Sequence, residues 1–399
     1  MEPDFCPAGI IAEFNPLHLG HQALIQAARQ GGATHVAVVM SGDFVQRGGP
    51  AVVSKWSRAE MALRAGADAV FELPLPWAMA GAERFARGGV SLLWQAGCRR
   101  LCFGSEWGGA RELQQLAALL LTGEFSQAVK GQLARGLPFA AARQAAVARL
   151  AGQQAAALLQ TPNNTLGVEY CKAMRALGME MEPFTIPRLG AGHHAAAPQG
   201  GFASATALRE MLASGGGWEP YVPPETAAIL RREAARGACP AEPARMERAV
   251  LARLRAMSRE ELARLPDMSE GLENRVFAAA RRACSLEELL ALAKTKRYSM
   301  ARLRRIVFSA FLGLSAEDGA GLPPYLRVLG FTERGVRLLQ EAKRRGGLPL
   351  LTHSSDFSKL DKTGKNVVEW EGKGSDLFAL FLPRPAPCGL NQTHGVVRV

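Results

Sequence analysis

Two histidines three positions apart, in His18-Leu19-Gly20-His21, stand where an apolar run gives way to helical spacing. Upstream, Gly9 to Phe14 reads as a buried strand. Downstream, Leu24, Ile25 and Ala28 recur on one helical face. Imidazoles in that position can do three kinds of work. They can ligate zinc, although no neighbouring residue supplies a third ligand. They can pack. They can also bind phosphate, because a helix's first turn offers unpaired N–H groups and the positive end of its dipole. Gly20 would let a ligand approach the backbone. Imidazole N–H groups there would meet charge developing at a phosphorus centre. Asn15 and Pro16 shape the preceding turn. These residues alone leave all three uses open.

The elements that must position them alternate. Strands are predicted at 9–14, 34–41, 68–73 and 100–103, with helices at 18–30, 55–65 and 80–95 between them. That alternation predicts a parallel sheet covered by helices on both faces. Ligands of such sheets bind beyond the carboxyl ends of the strands. The stretch 110–160 reads as helical, 182–186 as a further strand, and 204–212 as a helix with Ser204 as N-cap. The segment SGGGWEPYVPP (214–224) reads as a linker. Residues 225–350 read as mostly helical, and 351–399 as an irregular Gly/Pro-rich tail.

The chain has 399 residues, 48% of them hydrophobic, and a formal net charge of +12. Residues 225–350 carry 24 Lys and Arg against 15 Asp and Glu, so most of that charge is there. A polyanionic partner is expected. Seven scattered cysteines form no zinc or disulfide framework, and no apolar run reaches the ~18 residues of a membrane span. The expectation is a cytoplasmic protein with no membrane contact and no stable protein partner.

A second motif, Ser204-Ala205-Thr206-Ala207-Leu208-Arg209, supplies hydroxyls at a helix start and a guanidinium that can reach the same phosphate oxygens. Together with the first motif, directly after the first strand, it resembles the nucleotidyltransferase superfamily. The segments SGDFVQRGGPAVVSKWSRAEMALRAGADAVFELP (41–74), LCFGSEW (101–107), TPNNTLGVEYCKAM (161–174), IPRLGAGHH (186–194) and KTKRYSMARLRRIVFSAFLGL (294–314) narrow the resemblance to the bacterial tRNA(Met) cytidine acetate ligases, over roughly residues 8–380.

That resemblance implies an α/β fold. A Rossmann-like nucleotidyltransferase domain with a parallel sheet spans 1–215, and a mainly helical, basic, tRNA-binding domain spans 216–399. It implies that ATP and free acetate form acetyladenylate. The acetyl group then passes to N4 of the wobble cytidine, position 34, of elongator tRNA-Met. ATP should lie along Ile11, Ala12, Glu13 and Phe14, the turn Asn15, Pro16 and Leu17, and the helix start His18, Leu19, Gly20, His21, Gln22, Ala23 and Leu24. Gly104, Asn163, Asn164 and Arg188 should add contacts. His18, His21, Lys55, Ser204, Thr206 and Arg209 are the expected catalytic group. Gln46 and Arg47 are placed for acetate or phosphate, and Asp43 for magnesium. Glu13, Asp43 and Glu106 are candidate bases because they sit at strand ends. Lys294, Lys296, Arg297, Arg302, Arg304 and Arg305 are expected to meet RNA phosphates, with Lys343, Arg344 and Arg345 adding to them. Phe308 and Phe311 are expected in the core, while Tyr298 could stack on a base. A coenzyme-pathway adenylyltransferase would need no basic domain, and a silent RNA-binding protein would need no histidine pair.

Overall fold

The segment His35–Ser41 (HVAVVMS) is buried at every position, as a strand covered on both faces must be. Its side chains divide between two cores. Ala37 and Val39 join one, and Val36, Val38 and Met40 join the other. The computed structural model describes residues 5–107, 109–187, 201–269 and 271–399. Arg188 and most of the IPRLGAGHH segment therefore lie outside the described residues.

The strands are β1 (Pro7–Ala12), β2 (His35–Ser41), β3 (Phe44–Val45), β4 (Gly49–Pro50), β5 (Ala69–Leu73), β6 (Arg100–Ser105), β7 (Glu182–Pro187), β8 (Leu326–Phe331), β9 (Leu350–Leu351) and β10 (Val397–Arg398). The large sheet runs β10-β8-β5-β2-β1-β6-β7, with β9 beside β8. Strands β5, β2, β1, β6 and β7 are mutually parallel. The first strand lies in the middle, and successive strands depart to either side of it. The crevice beyond the ends of β1 and β6 is thus a topological switch point, the usual ligand site of such sheets. The expected α/β class and parallel sheet are present.

Three expectations give way. Strand β8 pairs antiparallel with β5, and β10 pairs with β8, so the chain returns to the first sheet after the helical region. The stretch 351–399 is not irregular, for it contains the helix Lys362–Phe378. The Gly/Pro segment at 214–224 is likewise no free linker. Trp218 and Val222 are buried in the second core, as are Ala227, Ile229 and Leu230 of the next helix. The helical unit proper comprises Glu247–Ala256, Arg259–Ala263, Leu272–Arg282, Leu286–Ala293 and Met300–Leu312. Its core also takes in Phe44, Leu75 and Met79 from before it and Phe378, Phe381 and Leu382 from after it. Phe308 is buried there and Phe311 packs against it, as expected. All seven cysteines are free. No helix among the described residues is long and apolar enough to cross a membrane.

Candidate active site

Beyond β1 the chain turns sharply into the helix Leu19–Gln30. Phe14 sits at φ +46°, a conformation costly for a bulky residue and held here by complete burial. The Asn15–Pro16 bond is cis. Asn15 Oδ1 accepts the Val52 N–H at 2.7 Å, which ties the turn to the loop after β2.

His18 is the N-cap of this helix. Its Nδ1 accepts the Gly20 N–H at 3.1 Å, and His21 Nδ1 accepts the His18 N–H at 3.3 Å. A neutral imidazole accepting at Nδ1 carries its hydrogen on Nε2, so both rings hold the tautomer with an Nε2–H donor. The rings stack at a centroid distance of 3.7 Å, with Phe14 edge-on to His21. A Cβ at position 20 would lie 3.0 Å from His18 Cε1, so any larger residue there would push the His18 ring by a few tenths of an ångström.

The pair opens on a cleft of about 180 Å³ at the switch point, also lined by Ile11, Ala12, Glu13, Phe14, Asn15 and Leu24. Gly104 and Asn163 close it from the β6 side, and Gln46, Arg47, Ser204 and Ala205 from the other. Pro16, Leu19, Gly20, Gln22 and Ala23 do not line it, and Leu17 is fully buried in the second core. Phe85, Leu166 and Tyr170 line it unanticipated. Their apolar type signals only burial.

Asn164 is a clamp and not a wall of this cleft. It is buried, and its Oδ1 accepts the Ser105 hydroxyl at 2.8 Å and the Glu106 N–H at 3.0 Å. Glu106 in turn caps the helix Pro162–Ala176, accepting the Asn163 N–H at 3.3 Å and the Asn164 N–H at 2.9 Å. Burial pushes its carboxyl up, but the Asn163 side-chain and backbone donors hold it below its ordinary value. It is an anchor, and a poor candidate for the base.

Ser204 caps the helix Ala205–Ser214 by accepting the Ala207 N–H at 3.1 Å. Arg209 donates to the Asn15 carbonyl at 2.9 Å and to the Thr206 hydroxyl at 3.1 Å. The two motifs, nearly 200 residues apart, are thus joined directly. Burial lowers Arg209 to about 10, with Glu13 opposing and Arg47 and Arg304 adding to the fall; it remains a cation at neutral pH. Thr206 and Arg209 face an adjoining cavity that shares Asn15 and Arg47 with the cleft.

Lys55 corrects an expectation. It opens its helix, but its ammonium is fully buried. It bonds to Glu72 at 2.6 Å and Asn391 at 2.7 Å and lies 3.5 Å from Glu371. Arg327 completes the cluster, donating to Asn391 at 2.6 Å and lying 3.4 Å from Glu72. Nothing local in the sequence marks this group, since Glu72 and Glu371 are nearly 300 positions apart. Asp43 is also committed to the fold. Its two oxygens accept the Lys55 N–H and the Ser375 hydroxyl, so its side chain does not fit a magnesium ion. Among the described residues no group of three or more His, Cys, Asp or Glu is placed to hold a metal.

The basic run divides. Arg305 is buried, bonded to Asp267 at 2.5 Å and to the Gln46 carbonyl at 3.1 Å. Arg302 donates to Asp267 and Ser269 and covers the buried Tyr298 ring, which rules out base stacking on that ring. Lys294 closes its own loop on Thr295 and Tyr298. Lys296, Arg297 and Arg304 are exposed. Arg344 and Arg345 pair with Glu341, and Arg345 reaches Trp94, at the edge of the sheet opposite the cleft.

The chain matches the family described as HIGH Nucleotidyl Transferase over residues 7–392. A tRNA(Met) cytidine acetate ligase of Caldanaerobacter subterraneus subsp. tengcongensis is 37% identical over 98% of this chain and 99% of its own. The protein of the same name from Syntrophotalea carbinolica is 40% identical over 89% and 87%. Among solved structures, Thermotoga maritima TmcAL bound with alpha-thio ATP superposes with a TM-score of 0.92 at 29% identity, covering 98% of this chain and 99% of that one. Its apo form gives 0.94 at 30% identity, covering 99% of each.

Proposed function

This chain belongs to the HIGH nucleotidyl transferases, among the tRNA(Met) cytidine acetate ligases, and from that premise we infer how its own residues carry the reaction. It is an ATP-dependent ligase that modifies tRNA. ATP occupies the switch-point cleft, with its phosphates across the start of the helix Leu19–Gln30. An acetate oxygen attacks the α-phosphorus. The bond to pyrophosphate breaks, and its electron pair leaves with pyrophosphate. No base is required, because acetate is already an anion. The barrier lies in the charge gathering on the phosphate oxygens, which preorganised donors lower. The Nε2–H groups of His18 and His21 are those donors, and Thr206 and Arg209 serve the leaving pyrophosphate.

In the second step N4 of the wobble cytidine, position 34 of elongator tRNA-Met, attacks the acetyl carbonyl. The C–N bond forms, the acyl C–O bond breaks with its electron pair going to AMP, and N4 passes one proton to the phosphate of the departing AMP. Lys296, Arg297 and Arg304 meet the RNA backbone.

The observation that carries this reading is the stacked histidine pair, held in the Nε2–H tautomer at a switch-point helix start and braced through Arg209. The test is acetate-dependent exchange of pyrophosphate into ATP, followed by mass spectrometry of tRNA nucleosides. His18→Ala and His21→Ala should each slow exchange by about 10²–10³ while retaining tRNA affinity. Exchange at the unaltered rate in both variants would remove the histidines from the chemistry.

A further inference from the structure

The ATP cleft adjoins a cavity several times its size. It holds about 760 Å³, within the roughly 300–1,000 Å³ of small-molecule sites. Asn15 and Arg47 line both compartments, so the two share a wall. One side of the cavity is apolar, formed by Val45, Val52, Leu290, Val307 and Phe308. The other carries Arg47, Arg209 and Arg304, drawn from three distant segments: the β3–β4 loop, the helix Ala205–Ser214 and the helix Met300–Leu312. These cations act on one another, since Arg47 and Arg304 both depress Arg209. Like charges gathered around one opening favour an anion between them. The carboxylates of Glu210, Glu242 and Glu287 also face this space, with Glu242 paired to Arg245.

An apolar slot flanked by guanidiniums matches a nucleotide, with a flat ring and a phosphate at its edge. The reacting amine must also arrive at the cleft from outside it. Resting on the ligase reading above, we propose that this cavity is the acceptor pocket. It receives one unpaired cytidine nucleotide of the RNA, with its ring against the Val307–Phe308 wall, its backbone phosphate at Arg304, and N4 directed at the shared Asn15–Arg47 wall. Single-stranded bases of RNA are read in this splayed form, and extrusion costs least where the base is already unpaired.

The test fills the pocket without touching the cleft. Ala213→Trp and Ala291→Trp replace small, exposed residues on its rim. Acetate-dependent ATP–pyrophosphate exchange without RNA, and acetyl transfer to elongator tRNA-Met, are measured on the same preparations after circular dichroism verifies folding. Exchange should stay within about twofold of the unaltered chain, while transfer falls at least about tenfold. Cytidine 5′-monophosphate should inhibit transfer competitively with RNA and not with ATP, and should lose potency in Ala213→Trp. Transfer at the unaltered rate in both tryptophan variants would overturn the pocket. So would competition of the monophosphate with ATP, which would make Arg304 and the Val307–Phe308 wall part of the ATP site. Absence of exchange in the unaltered chain would overturn the ligase reading, and this pocket with it.

Discussion

Lys55, Glu72, Glu371, Arg327 and Asn391 form a buried polar cluster in which each charge depends on another. Removing one partner of a buried ion pair leaves the other uncompensated and typically costs about 3–5 kcal/mol. Lys55→Met should lose that much in urea denaturation, which makes it a stability variant and not a catalytic one. Burial pushes Glu72 up, yet Lys55 and a hydrogen bond with Glu371 hold it at about 2. Glu371 moves the other way, raised by burial and by the Glu72 charge, so one proton is shared between two carboxyls. The two signs oppose. The stability owed to Glu72 is present above the ordinary carboxylate range and is lost as pH falls towards about 2. That owed to Glu371 is present below the ordinary range and is lost as pH rises through its elevated folded value. Glu371→Gln keeps a neutral donor in place. It should abolish the alkaline decline and leave the acid limb intact when unfolding is followed across pH.

At the scale of elements, the loop between β3 and β4 meets the helix Met300–Leu312 with no space to spare. Gly48 has φ +79°, and a Cβ there would lie 2.4 Å from the Arg305 backbone nitrogen. Gly48→Ala is strained both by φ and by contact. It should separate loop from helix, lowering Tm by several degrees and reducing acetyl transfer more than ATP–pyrophosphate exchange, because Arg47 and Arg304 would lose their common register. What was legible in the sequence follows the same scale. The parallel strands were readable because residues such as 35–41 are apolar throughout, and the histidine turn because it follows one directly. Strand β8, LRVLGF, was not, for its partner β5 lies some 250 positions away and its neighbours in sequence are basic helices. Within the site, Asn163 and Asn164 are one residue and about 100° of helix apart. Composition cannot say which faces the cleft and which grips Ser105. Lys55 and Arg305 have the residue type of surface cations, and only the long-range packing that buries them reveals their task.

For the whole molecule, three cores share one sheet and its flanks, and segments far apart in the chain complete each of them. A fragment of residues 1–215 would lack β8 next to β5, the Arg327 and Glu371 partners of the Lys55 cluster, and the hydrophobic cover of Trp218 and Val222. It should show helical circular dichroism without a cooperative thermal transition, and be cut rapidly in limited proteolysis. A sharp transition would mean that the first sheet folds unaided. The return of the chain to β8 and β10 has a mechanical consequence. A module appended at one end swings on a single string, and its local concentration at its target is set by the length of that string. Here the helical unit is stitched to the sheet both on entry and on exit, so it works as a fixed jaw. On the acceptor pocket proposed above, RNA seated on Arg304 would be held at a set distance from the cleft, and the unstable anhydride would meet its acceptor without leaving the enzyme.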